Sequence, residues 1–179
     1  IVFAGGAVDM RAWADRVKAV LFAGFPGMGG DEVVVDILTG KINPSGKLSE
    51  TFPLSAESVP AVNAYRVAGV TRYQEGLDVG YRYFVTYEVP VLYPFGYGLS
   101  YSEFTYKELL LTAEEDGLRI SCSIENISSR DGKEIVQVYV RECAPLVYRP
   151  KKELKAFSKS EVKAGQTKPF EFVLDGDAF

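Results

Sequence analysis

Lys18-Ala19-Val20-Leu21-Phe22-Ala23-Gly24-Phe25, then Pro26-Gly27-Met28-Gly29-Gly30, then Asp31-Glu32-Val33-Val34-Val35-Asp36-Ile37-Leu38 decides the fold of the first part of the chain. The first run is apolar without alternation, which suits a short strand covered on both faces, as in a parallel sheet. The glycine cluster is a turn. Val33, Val34, Ile37 and Leu38 recur at helical spacing, with Asp31 placed as N-cap and Gly40 as stop. Strand, turn and helix make half of a βαβ crossover. Upstream, Ile1-Val2-Phe3-Ala4 reads as a strand already under way, and Met10–Val17 as a short helix. Downstream, Asn43-Pro44-Ser45-Gly46-Lys47-Leu48 is turn chemistry leading into a short strand, Leu48–Phe52.

From Pro53 to about Tyr101 the chain is irregular and rich in Gly, Pro and Tyr; long ordered loops of this kind tend to be functional or to bridge domains. Beyond Glu103 the pattern changes to period two. Thr105–Ala113, Leu118–Glu125, Ile135–Arg141, Lys152–Lys159 and Lys168–Leu174 read as strands, separated by turn signals at Glu114–Gly117, Ser128–Gly132 and Lys163–Gln166. Short strands at this spacing predict a β-sandwich of the immunoglobulin or fibronectin kind, which normally has about seven strands. The shortfall predicts that the last strands are missing and that the chain is a fragment of a longer polypeptide or one piece of a split one.

Composition is that of a globular protein: 47% hydrophobic, 25% charged, with 11 Phe and 11 Tyr among 179 residues. The net charge of −4, without a basic run, gives no electrostatic support to nucleic-acid binding. No apolar stretch reaches the roughly 18 residues of a membrane span. The absence of histidine removes His-based triads and most catalytic zinc sites. Alternation places Ile120, Cys122 and Ile124 on one strand face, whereas Cys143 falls opposite Val136, Val138 and Val140. The two cysteines are therefore read as free thiols.

Several segments invite a chemical reading. The turn at 26–30 precedes a helix, where anions bind, but its glycines fit neither the dinucleotide nor the P-loop spacing, and Asp31 and Glu32 would repel a phosphate. In Tyr73-Gln74-Glu75-Gly76-Leu77-Asp78-Val79-Gly80-Tyr81-Arg82-Tyr83-Phe84, aromatic and polar residues mix as in a sugar platform. Tyr73 and Glu75 are the candidates for substrate contact; the competing and favoured reading is a hydrogen-bonded seam between the two halves, made by Glu75, Tyr81 and Arg82. Asn126-Ile127-Ser128 matches a glycosylation sequon. Arg149, Lys151, Lys152 and Lys155 read as a solvated edge that guards against strand pairing.

Taken in order, several segments resemble one family. Phe25-Pro26-Gly27-Met28-Gly29-Gly30, Asp36-Ile37-Leu38-Thr39-Gly40 and Asn43-Pro44-Ser45-Gly46-Lys47-Leu48 through Thr51-Phe52-Pro53 resemble the C-terminal α/β domain of family 3 glycoside hydrolases. Glu75-Gly76 with Val79-Gly80-Tyr81-Arg82-Tyr83-Phe84 resembles the stretch that follows it, and Pro94-Phe95-Gly96-Tyr97-Gly98-Leu99-Ser100-Tyr101 the entry into that family's fibronectin III-like domain. Gly132-Lys133-Glu134 with Val136-Gln137-Val138-Tyr139-Val140, and Arg149-Pro150-Lys151-Lys152-Glu153-Leu154, fit within that domain.

The resemblance implies an α/β plus all-β architecture. Residues 1–53 would be part of an α/β sandwich, 54–101 an irregular inter-domain segment, and 102–179 an incomplete fibronectin III-like β-sandwich. It implies part of a retaining, exo-acting β-glycosidase, most often a β-glucosidase, acting on a β-linked glucoside or oligosaccharide. The Asp nucleophile would come from an N-terminal (β/α)8 barrel, and the Glu acid/base from upstream of the matched segment. No catalytic residue is therefore carried over to this chain, and no metal or organic cofactor is expected. The alternative is a non-catalytic carbohydrate- or protein-binding scaffold; its weakness is that Trp13, the sole tryptophan, falls outside the β-sandwich.

Overall fold

The computed structural model describes residues 1–64, 69–70 and 72–179, so residues 65–68 and 71 of the irregular stretch lie outside the described residues. The chain divides into two compact units, neither contiguous in sequence: Ile1–Val35 with Leu48–Tyr97 and Pro145–Lys151, and Asp36–Lys47 with Gly98–Ala144 and Lys152–Phe179.

In the first unit the two apolar runs meet as parallel chains, but through one bridge, Val2 with Phe22. The Val2 N–H donates to Leu21 O at 2.8 Å and the Ala23 N–H to Val2 O at 2.9 Å. The helix expected over Met10–Val17 shrinks to a 3-10 turn, Ala14–Arg16, hung on the carbonyl of buried Met10. Helix α1 spans Gly30–Leu38. It begins one residue ahead of Asp31, so Asp31 is not its cap. Asp31 and Glu32 occupy the first turn, where they oppose the positive end of the helix dipole. Gly40 ends the helix as expected, at φ 77°, with its N–H on Ile37 O at 2.9 Å.

The strand expected over Leu48–Phe52 is shorter. Strand β1 is Phe52–Pro53 and pairs antiparallel with β2, Val91–Tyr93. Leu48 instead bonds a turn: its N–H donates to Tyr97 O and its carbonyl accepts from Gly96 N–H, both at 2.8 Å. Phe52 is the buried centre, with Phe22 edge-on at 5.1 Å and Tyr93 at 6.4 Å. The stretch read as irregular also contains helix α2, Tyr81–Thr86, and 3-10 turns at Ala56–Ser58 and Pro60–Asn63.

The second unit contains the five strands expected, each within a few residues of its predicted bounds: β3 Phe104–Glu114, β4 Gly117–Asn126, β5 Gly132–Val140, β6 Glu153–Val162 and β7 Thr167–Asp175. One sheet has the order β3-β4-β7 and the other is the β5-β6 pair, all antiparallel. The inward face of β4 is the predicted set Ile120, Cys122 and Ile124. With Phe170, Phe172 and Leu174 of β7 it packs against Val136 and Val162 from the other sheet. Each such large side chain contributes about 1.5–3 kcal/mol by leaving water. Cys122 is buried and Cys143 exposed, both free. In β3 the register slips between Lys107 and Leu110, at a bulge where Glu108 has φ 57°.

Polar groups fix the ends of the sandwich. Asn43 Nδ2 donates to Ser102 Oγ at 2.8 Å and to Asp131 O at 2.9 Å, and its Oδ1 accepts from Ser100 Oγ and the Tyr101 N–H, each at 2.9 Å. Gly98 runs so close to this turn that a Cβ would stand 2.1 Å from Gly46 O. Buried Glu134 accepts from the Tyr106 hydroxyl at 2.9 Å and faces Lys47 Nζ at 3.3 Å. Burial, and then the bond to Glu134, hold the Tyr106 phenol well above its ordinary range.

Two readings of surface features change. Asn126 is 0% exposed, its amide donating to Arg130 O at 2.7 Å and Val162 O at 2.9 Å while Oδ1 accepts from Ser128. A buried, fully bonded amide is a strut and not a glycan acceptor in the folded chain. The basic cluster is not a freely solvated edge either. Lys151 pairs with Glu88, Lys155 with Glu153 at 3.6 Å, and Lys152 Nζ stands 4.4 Å over the Tyr139 ring.

Asn126→Ala orphans two backbone carbonyls and is expected to cost about 2–4 kcal/mol in denaturant unfolding. The Tyr106 phenol, with its folded pKa raised, contributes stability that is complete below its unfolded pKa near 10 and is lost as pH rises beyond it. Tyr106→Phe is therefore expected to flatten the alkaline limb of the stability–pH curve.

Candidate functional site

The segment singled out for sugar contact lies in the first unit. Tyr73 is 97% exposed. Glu75 is half-buried, and its carbonyl accepts the Asp78 N–H at 2.9 Å, closing the turn that leads to α2. The sequence Tyr81-Arg82-Tyr83-Phe84-Val85-Thr86 is aromatic and β-branched, a poor helix former by propensity. Packing overrides this. Phe84 is buried, Tyr81 stacks on Phe95 with centroids 4.6 Å apart, and Tyr83 lies 5.3 Å from Phe84 and 5.2 Å from Tyr87. The Arg82 guanidinium sits 5.3 Å from the Tyr81 ring centroid. Tyr81 and Arg82, expected at a seam, are thus brought together as partly buried neighbours in one helix.

Asp78 lies in the same segment, three residues ahead of α2. It is 8% exposed, and Oδ2 accepts from the Tyr148 hydroxyl at 2.5 Å and the Tyr87 hydroxyl at 3.1 Å. Oδ1 is buried and has no hydrogen-bond partner among the described residues. Tyr148 arrives from the segment Pro145–Lys151, which is fastened to the end of α2: the Lys151 N–H donates to Thr86 Oγ1 at 2.9 Å and Lys151 Nζ to Glu88 at 2.5 Å. The bond to Asp78, then that to Tyr87, holds the Tyr148 phenol protonated far above its ordinary range, and the Lys151 bond lowers the Glu88 carboxyl. No sequence signal linked Tyr148 to Asp78, because 70 residues separate them.

Chemically, this arrangement binds and braces. Retaining glycoside cleavage needs two carboxyls about 5–5.5 Å apart across the bond. The buried carboxylate here is committed to two phenols. In the second unit an open cavity of about 450 Å³ lies between β3, β4 and β7, lined by Leu109, Leu110, Cys122 and Pro169 with Ser121 and Ser123; it contains none of the residues proposed from sequence. Among the described residues no group of three or more Cys, Asp and Glu side chains is placed to hold a metal ion.

Residues 1–101 match the glycosyl hydrolase family 3 C-terminal domain, and residues 134–179 the fibronectin type III-like domain. The chain belongs to glycosyl hydrolase family 3. It is 39% identical over 184 residues to thermostable beta-glucosidase B of Acetivibrio thermocellus, covering 100% of this chain and 24% of that protein. It is 37% identical to an exo-alpha-(1->6)-L-arabinopyranosidase of Bifidobacterium longum, covering 98% of this chain and 23% of the relative. Among solved structures, the family 3 beta-glucosidase of Bifidobacterium adolescentis superposes with a TM-score of 0.94 at 37% identity, over 99% of this chain and 27% of that one. Beta-glucosidase 3B of Thermotoga neapolitana in complex with glucose gives 0.91 at 36%, over 96% and 25%. The chain thus spans about a quarter of the length of these relatives.

Tyr81→Ala removes both the Phe95 stack and the surface under Arg82, and is expected to lower stability by about 2–4 kcal/mol. Glu75→Gln, in a turn held by backbone bonds, should stay within about 0.5 kcal/mol of the parent. Denaturant unfolding of the two variants side by side checks both.

Proposed function

We propose that this chain is the C-terminal portion of a retaining, exo-acting β-glycosidase of the β-glucosidase type. It would shape one wall of the sugar pocket and brace the enzyme, while a (β/α)8 barrel carries the nucleophile. The supporting observation is the match of the whole chain, at 39% identity, to about a quarter of a β-glucosidase. Residues 1–53 are proposed as part of the family's α/β sandwich, 54–101 as the connecting segment and 102–179 as the fibronectin III-like domain. Tyr73 and Glu75 are the proposed sugar contacts: Tyr73 offers an uncovered ring face and Glu75 an acceptor two residues on. Tyr81 and Arg82 are proposed to brace that segment.

The arabinopyranosidase relative makes the sugar a matter for assay, since a β-D-glucoside and an α-L-arabinopyranoside differ in the configuration at C4 and in the hydroxymethyl group at C5. Nitrophenol release should be followed from both aryl glycosides, with the 179-residue chain beside the complete polypeptide that includes the barrel. Turnover by the complete polypeptide alone, faster on the glucoside, is the expected result. Hydrolysis by the 179-residue chain would mean a full carboxylate pair within it and would overturn the proposal.

A further inference from the structure

We infer that the open cavity on the β3-β4-β7 sheet is a non-catalytic binding site for a neutral pyranose saccharide, with Glu108 as its central contact. The site rests on its own residues; the reading proposed above supplies only the choice of a β-glucoside as probe. Alternation fixes the face on which it lies. Ile120, Cys122 and Ile124 of β4 belong to the core, so Ser121 and Ser123 stand on the outer side of the sheet. Strand β3 adds Glu108, Leu109 and Leu110 and β7 adds Pro169, around a space of about 450 Å³. That volume falls in the range of small-ligand sites.

The backbone supplies a second observation. Lys107 stands opposite Ser123 and Leu110 opposite Ser121, so Glu108 and Leu109 together oppose Cys122 alone, as a bulge. Glu108 takes φ 57° there, a left-handed conformation that glycine adopts freely and glutamate only against strain. Strained residues of this kind gather at ligand sites, where the side chain does what glycine could not. The Ser123 hydroxyl donates to Glu108 Oε2 at 2.8 Å, which holds the carboxyl at the cavity wall and leaves Oε1 outside that bond. Two hydroxyls and a carboxyl offer donors and acceptors to ring hydroxyls, while Leu109, Leu110 and the Pro169 ring offer apolar surface to the C–H face of a sugar. An anion would find no Lys or Arg among the described lining residues. A purely apolar ligand would take the hydroxyls and the carboxyl out of water without giving them partners. No aromatic ring is among the described lining residues, so the expected affinity is weak, on the order of 1 mM.

Backbone-amide NMR of the 179-residue chain, titrated with methyl β-D-glucopyranoside and with cellotetraose, tests this. Saturable shifts are expected at Glu108, Leu109, Ser121 and Ser123. Ser121→Ala and Glu108→Gly should each weaken binding about tenfold. Glu108→Gly should also leave Tm unchanged or raise it, because glycine relieves the strained φ, so its loss of binding is not a loss of fold. The absence of a saturable shift with either sugar overturns the inference. So do shifts confined to Tyr73 and Glu75, binding that survives both substitutions, and a butylammonium ion that shifts the same amides where the sugars do not. Saturable binding at this site, beside a complete polypeptide that releases no nitrophenol, would sink the glycosidase reading and leave the saccharide site standing.

Discussion

The second unit depends on one side chain, the amide of Asn43. Its two donors and its oxygen are all engaged, with Ser102, Asp131, Ser100 and the Tyr101 backbone. These partners flank β3 at its start and β5 at its start, so a single amide joins a turn far upstream in sequence to two strands in different sheets. The neighbouring bonds share this geometry. Tyr101 donates to Ile37 O at 2.9 Å, and Arg130 lies over the Tyr101 ring while donating to Gly40 O. Segment Asp36–Lys47, which begins with the last residues of α1, belongs to the same compact unit as the sandwich. Deleting one member would leave several of the others, buried Ser102 among them, short of a partner at once, and that makes such networks cooperative.

The parts of the fold legible in the sequence are those governed by local periodicity. Ile120, Cys122 and Ile124 alternate along β4, and one buried face follows from period two alone. Gly40 could be read because a helix end demands a left-handed residue. Elements fixed by distant partners were not legible. Helix α2 has the residues of a strand, and only the pocket for Phe84 and the stack of Tyr81 on Phe95 make it helical. Leu48 was placed in a strand on hydrophobicity, but its hydrogen bonds go to Gly96 and Tyr97.

The candidate site divides along the same line. The segment 73–84 was recognised from its mixture of aromatic and polar residues, which is a local property. Which of its members matters structurally was not, since Asp78 is defined by Tyr148 from the far end of the chain. Asn126 shows the converse error: a three-residue pattern suggested a surface modification, while its bonds to Arg130 and Val162 place it in the interior. A short motif specifies composition, and burial is settled by the strands that pack over it.

Two buried carboxylates show how differently this chain treats charge. Glu134 has a cation, Lys47, and a phenol, Tyr106; Lys47 also donates to Gly98 O at 2.9 Å. Its charge is neutralised inside the second unit, and removing Lys47 would leave a buried anion, a change that costs about 3–5 kcal/mol in comparable pairs. Asp78 is as deeply buried and receives two phenols, but Oδ1 has no donor among the described residues. Sequence economy does not explain the contrast, because Lys151 lies on the same segment as Tyr148 and pairs with exposed Glu88 instead.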